Sequence, residues 1–66
     1  PIPANDMIYI QTNKNISELQ LIDAIGRVVI ISNDSQIDVS NLSNGVYQLL
    51  IKSDNDRLIL PVIIEK

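Results

Sequence analysis

The chain has 66 residues, 20% of them charged, no Cys and no His, and a net charge of −3 at pH 7. So small a domain buries only about 60% of the surface that its unfolded chain exposes, and without Cys no disulfide or thiolate metal site can stabilise it. The five Lys and Arg residues are scattered along an acidic chain, which argues against a nucleic-acid surface.

The pattern of apolar residues favours β-structure. Ile, Leu and Val make up 25 of the 66 residues and recur at period two, with turn-forming residues about every ten positions. This predicts a small all-β sandwich. Pro1 and Pro3 confine the opening to an extended lead-in, and a first strand is predicted over residues 7–11, with Ile8 and Ile10 on one face.

The second and third strands are predicted over residues 18–23 and 28–32. Leu19 and Leu21 point inward from the second strand. The connection between the two strands reads as a hairpin, with Gly26 where the backbone needs a positive φ.

A short strand through Ile37 and Val39 follows, and its neighbouring polar residues face water. Asn44-Gly45 is an ordinary two-residue hairpin signal. The width of the preceding segment instead favours a crossover in which Leu42 enters the core. Tyr47 is predicted to lie in the core, with its hydroxyl bonded to a backbone group near the rim.

The last two strands are predicted over residues 45–52 and 57–65. The final strand is apolar on both faces, and Pro61 places it at an edge of the sheet. An apolar edge strand is either tolerated surface or a recognition element that pairs with or docks on a partner, and strand-mediated homodimers are possible. No apolar run is as long as the roughly 18 residues of a membrane span, and we expect no export leader.

Residues suited to catalysis or metal binding are scarce. Without His and Cys the usual general base, thiol nucleophile and zinc ligands are absent. Asp54, Asn55 and Asp56 resemble a calcium cluster but lack the twelve-residue loop with its Gly and closing Glu, so we interpret them as a hairpin loop. Three Asn-X-Ser triplets are interpreted as turns. We expect no enzyme activity, cofactor or metal.

Four segments have the order and spacing of one known family. Residues 1–6 resemble its Pro-rich opening, residues 21–29 its Gly-Arg hairpin, residues 37–47 its most recognisable motif, and residues 60–66 its final strand with a closing Lys. The family is the C-terminal sorting domain, type A, of proteins exported by the type IX secretion system of Gram-negative bacteria. The positions that carry the resemblance are Pro3, Asp23, Gly26, Arg27, Leu42, Gly45 and Tyr47.

The resemblance implies a non-catalytic secretion signal, folded as an immunoglobulin-like antiparallel β-sandwich of about six to seven strands. It implies that residues 1–66 form a single domain at the end of a larger secreted protein, with the cargo before Pro1. The translocon and its shuttle would recognise the domain, and a sortase-like peptidase would remove it during delivery through the periplasm and outer membrane to the cell surface or medium. The residues expected to be recognised are Val62, Ile63, Ile64, Glu65 and Lys66.

Two other classes of function stay open. A passive sandwich module could serve as a spacer at the end of a secreted enzyme or adhesin. A carbohydrate-binding module is a weaker alternative, because Tyr9 and Tyr47 are the only aromatic residues and such surfaces usually need several exposed rings.

Overall fold

The described part of the chain is all β-structure. The computed structural model describes residues 2–4, 6–12 and 15–66, with the backbone alone for residues 2–4. Pro1 of the predicted lead-in and the side chain of Pro3 therefore lie outside the described part. The seven strands are β1 Ile2–Ala4, β2 Met7–Tyr9, β3 Ile16–Ile22, β4 Val28–Ser32, β5 Gln36–Asp38, β6 Gly45–Ser53 and β7 Arg57–Ile64.

The strands form two sheets. The larger has the order β1-β7-β6-β3-β4, and the smaller consists of β2 and β5. β3, β4, β6 and β7 pair antiparallel, as do β2 and β5. Residues from the facing surfaces of both sheets share one core, so the prediction of a small all-β sandwich is confirmed.

β1 differs from the prediction. The predicted lead-in is a strand, and it pairs parallel with β7, with Ile2 opposite Val62 and Ala4 opposite Ile64. The prediction that β7 is an edge strand is therefore wrong for residues 62–64, which have a neighbour on each side. Among the described strands, only β6 pairs with residues 57–61, so the edge prediction holds for that half of β7.

The core follows the predicted alternation. Leu19, Leu21 and Leu49 are fully buried on the inner face of the large sheet, and Ile8 and Ile37 cover them from the small sheet. None of the described buried residues is polar or charged. Burying an unpaired polar group costs free energy, so this core avoids a penalty that a marginally stable domain could hardly tolerate.

The outer face of the large sheet is partly apolar. Val28, Ile31, Val46 and Ile59 are exposed there, each by 47% or more. They alternate along their strands with residues of the inner face, which is why a strand such as β7 looks apolar on both sides in sequence. The interpretation of β7 as two-faced is thus confirmed, since Val62 and Ile64 face the core.

Candidate functional site

The end of the chain lies against residues 39–44, which we call the arch. The arch connects β5 in the small sheet to β6 in the large sheet, so the crossover was predicted correctly. The backbone N–H of Lys66 donates a hydrogen bond to Asn44 Oδ1 at 3.1 Å, and the Lys66 ammonium donates to the Ser40 carbonyl. The last described residue is therefore fixed on a segment more than twenty positions earlier in the chain.

The arch is itself held by backbone bonds and by one apolar side chain. The N–H of Val39 donates to the Asp6 carbonyl at 2.7 Å, and the N–H of Leu42 donates to the Val39 carbonyl at 3.0 Å. Leu42 is partly buried and packs against the core, as predicted. These contacts fasten the arch at its start and middle, so the groups that meet Lys66 have a defined position.

Asp38 supports the start of the arch electrostatically. Its Oδ1 accepts a hydrogen bond from the N–H of Ser40 at 2.9 Å. Hydrogen bonds from the Ser40 side chain and N–H hold the pKa of Asp38 below its ordinary range, and the positive charge of Lys66 adds to this effect. Lys66 thus has an acidic neighbour and a carbonyl acceptor in the same short segment.

Tyr47 closes the other end of the arch. Its ring is only 8% exposed, and its hydroxyl donates to the Ser43 carbonyl at 2.7 Å, so both predictions for this residue are confirmed. A Tyr at the start of a strand that bonds to the backbone a few residues upstream is the tyrosine corner of immunoglobulin-like sandwiches. Gly45 opens β6 two residues before Tyr47, and its φ is not positive.

The β3–β4 hairpin is organised by one carboxylate. Asp23 accepts hydrogen bonds from the N–H groups of Ile25 and Arg27, at 3.1 and 2.9 Å, and from Arg27 Nε at 3.0 Å. The backbone bond from Arg27 is the main reason that the pKa of Asp23 lies below its ordinary value. Gly26 has φ +91°, as predicted, and is the only described residue with a positive φ.

The strand register brings these features to one end of the large sheet. Ile22, at the end of β3, pairs with Gln48 near the start of β6, and Gly45 pairs with Ile64 at the end of β7. The Asp23 hairpin, the arch and residues 65–66, which we call the tail, therefore leave the sheet at the same end. Sequence reasoning recognised each motif separately but missed this clustering, because it depends on how distant strands pair.

The five predicted recognition residues do not share one surface. Val62 and Ile64 are fully buried in the core, and Ile63 is half-buried on the outer face opposite Val46. Glu65 and Lys66 are exposed. The side chains of the folded domain that are open to a partner at this end of the chain are thus Ile63, Glu65 and Lys66.

The described residues hold no group of three or more His, Cys, Asp or Glu that could bind a metal ion. Asp56 lies in the loop between β6 and β7, where its carbonyl accepts a hydrogen bond from the N–H of Ser53 at 2.9 Å, as expected of a hairpin. No helix in the described part of the chain is long and apolar enough to cross a membrane.

The sheet order, the crossover arch and the tyrosine corner define a small immunoglobulin-like sandwich module. A family model described as the secretion system C-terminal sorting domain matches residues 1–65. The chain therefore belongs to the family of type IX secretion C-terminal sorting domains, and its role is that of a sorting signal for export to the cell surface or medium. Neither a curated protein nor a solved structure gives a significant match to the chain.

Proposed function

We propose that this domain is the part of a secreted protein that the type IX translocon and its shuttle bind, and that it takes no part in the chemistry of its cargo. Membership of the sorting-domain family carries the proposal. The cargo precedes Pro1 and reaches the periplasm with its own leader. A sortase-like peptidase then removes residues 1–66, which form one domain, upstream of Pro1.

The last five residues divide between two tasks in this proposal. Val62 and Ile64 are fully buried, so they anchor β7 in the core and act through the fold. Ile63, Glu65 and Lys66 present the groups that a partner contacts. Glu65 gives this surface an exposed carboxylate, which suits a basic side chain on the translocon.

A truncation tests the proposal. Residues 1–66 and residues 1–61 are each fused to a leader-bearing fluorescent protein in a bacterium with the type IX system. Delivery to the surface or medium is expected for the longer fusion and periplasmic retention for the shorter. A control fusion with Asp54→Ser and Asn55→Ser, in the loop at the opposite end of the sheet, should be delivered. Periplasmic retention of all three fusions would contradict the proposal.

The second candidate function is a passive module that associates through its sheet. Ile59 is 56% exposed, and the edge of β7 beside it has no neighbouring strand among the described residues. A homodimer that pairs these edges would be weakened by Ile59→Ser. Sedimentation velocity over a range of concentrations checks this, since a purely monomeric wild-type domain would exclude the dimer.

A further inference from the structure

The arch and the tail are joined by bonds that fix the position of the chain's end. The last residues of a domain are poorly ordered unless something holds them. Here the N–H of Lys66 donates a hydrogen bond to Asn44 Oδ1, and its ammonium donates one to the Ser40 carbonyl. The backbone and the side chain of Lys66 are therefore both held. Neither bond is part of a strand ladder, because β7 ends at Ile64.

We infer that the sorting signal is a composite surface, formed by the arch and the tail together, in which Asn44 is the residue that positions the tail. The inference rests on the proposed sorting function and adds which residues form the recognised surface. The partner it fits is a protein with a basic group for Glu65 and a shallow apolar patch for Val46, which is 59% exposed beside the arch.

The register supports a shared surface. Val46 lies two residues after the arch, opposite Ile63, and Ile63 lies two residues before Glu65. A partner that contacts Glu65 therefore meets arch residues and the start of β6 within the same small area. If the tail were read as a free peptide, the partner would have to order it on binding and would lose affinity in doing so.

Asn44 makes this contact through a side chain that can be removed without touching the core. It is exposed, and its Oδ1 accepts the Lys66 N–H. Asn55 is also exposed, and it lies in the loop between β6 and β7, at the end of the sheet opposite the arch and the tail. Asn44→Ala and Asn55→Ala are therefore a matched pair, while Asn44→Asp keeps an acceptor oxygen at the same position.

The experiment measures delivery and the order of the tail in these three variants, each made in the fluorescent fusion of residues 1–66. One neutral hydrogen bond is worth a factor of roughly two to ten in an equilibrium, and the competent fraction of the tail sets the apparent affinity. We expect Asn44→Ala to lower delivery by roughly that factor and to speed exchange of the Lys66 amide. Asn55→Ala and Asn44→Asp should keep both near wild type, and all three variants should stay folded at the temperature of the assay.

Each other result has a definite meaning. If Asn44→Ala frees the Lys66 amide but delivery is unchanged, the tail is read as a linear peptide and the composite surface is wrong. Equal losses for Asn55→Ala and Asn44→Ala would also overturn the positioning role of Asn44. If the wild-type fusion itself stays in the periplasm, the proposed sorting function fails, and the inference fails with it.

Discussion

The hydroxyl of Tyr47 donates a hydrogen bond of 2.7 Å to the carbonyl of Ser43, four residues earlier in the chain. This bond connects a ring buried in the core to the arch that carries the tail. The strand that contains Tyr47 pairs with β3 on one side and β7 on the other. The bond thus joins the centre of the large sheet to its candidate recognition end.

Removing this hydroxyl should destabilise the domain without disturbing its core. Tyr47→Phe keeps the buried ring and loses one hydrogen bond, at a cost of about 1 kcal/mol. For a domain of this size, that corresponds to a fall in melting temperature of about 4–8 °C. Tyr9→Phe is the matched control, because Tyr9 is 65% exposed, and it should leave the melting temperature unchanged. If the two variants had the same melting temperature, the hydrogen bond of the Tyr47 hydroxyl would not contribute to stability.

The two glycines should respond to Ala in opposite directions. Gly26 has φ +91°, where an L-residue is strained by about 1 kcal/mol, so Gly26→Ala should destabilise the domain although nothing lies within 4 Å of the added Cβ. At Gly45 the added Cβ would lie 3.7 Å from Tyr47 Cε1, an ordinary contact, and φ is not positive. Gly45→Ala should therefore stabilise by about 0.4–1 kcal/mol. Urea unfolding of both variants measures the two signs, and a stabilised Gly26→Ala would contradict the positive φ.

The Asp23 hairpin should make stability depend on pH in the acid range. The pKa of Asp23 is lower in the folded state than its ordinary value of about 3.9. Its contribution is therefore fully present above the unfolded pKa and is lost as the pH falls through the folded pKa. The lowered pKa values of Glu18, bonded to Gln20, and of Asp38 act in the same direction.

Asp23→Asn keeps a hydrogen-bond acceptor but cannot titrate, so it should reduce the loss of stability that occurs as the pH falls. Arg27→Met removes the guanidinium and leaves the Arg27 N–H bond, the largest cause of the shift, in place. It should keep most of the acid dependence of the wild type. Urea midpoints measured between about pH 2.5 and pH 7 check both expectations. An Asp23→Asn variant as acid-sensitive as the wild type would show that this carboxylate does not contribute.

Substitutions at two neighbouring residues near the end of the chain should reduce delivery of the fusion for different reasons. Ile64 is fully buried, and Ile64→Ala should cost about 2–5 kcal/mol, a large part of the stability of so small a domain. Glu65→Ala changes an exposed residue and should lower delivery while the melting temperature stays the same. Delivery assays paired with thermal unfolding separate the two effects. Full delivery of the Glu65→Ala fusion would mean that the partner does not contact this carboxylate.

Local patterns were sufficient to predict much of the fold. Ile37 and Val39 alternate cleanly with polar neighbours, and both are buried. Gly26 was predicted from turn chemistry and Tyr47 from its need for a hydroxyl partner. Each of these predictions depends on a few adjacent residues whose conformational preferences and packing needs agree.

The features that sequence did not predict depend on contacts between distant residues. β1 has only three residues, too few to show a period, and its parallel partner lies sixty positions away. β3 begins at Ile16, two residues before the predicted start. The prediction began too late because an irregularity in the pairing between Ile16 and Glu18 interrupts the alternation there. β2 ends at Tyr9, two residues before the predicted end, although the N–H of Ile10 still donates a hydrogen bond to the Ser35 carbonyl.

The candidate site shows the same division. The motifs around Asp23 and Tyr47 were recognisable from their spacing, and the resemblance to sorting domains rested on them. The bond between Asn44 and Lys66 gave no signal, because a single amide that accepts one N–H across 22 positions leaves no pattern in the sequence. The alternation of β7 grouped Val62 and Ile64 on one face, but it did not tell which of the two apolar faces of the strand is buried.

We expect residues 1–66 to be sufficient to direct a cargo through the type IX system. The most direct measurement compares one fluorescent fusion in two isogenic strains, one with a working translocon and one without it, and scores fluorescence that added protease can remove from intact cells. Protease-accessible or released fluorescence is expected in the first strain, and protected, periplasmic fluorescence in the second. The same protected signal in both strains would show that the domain does not direct export, and would leave a passive sandwich module.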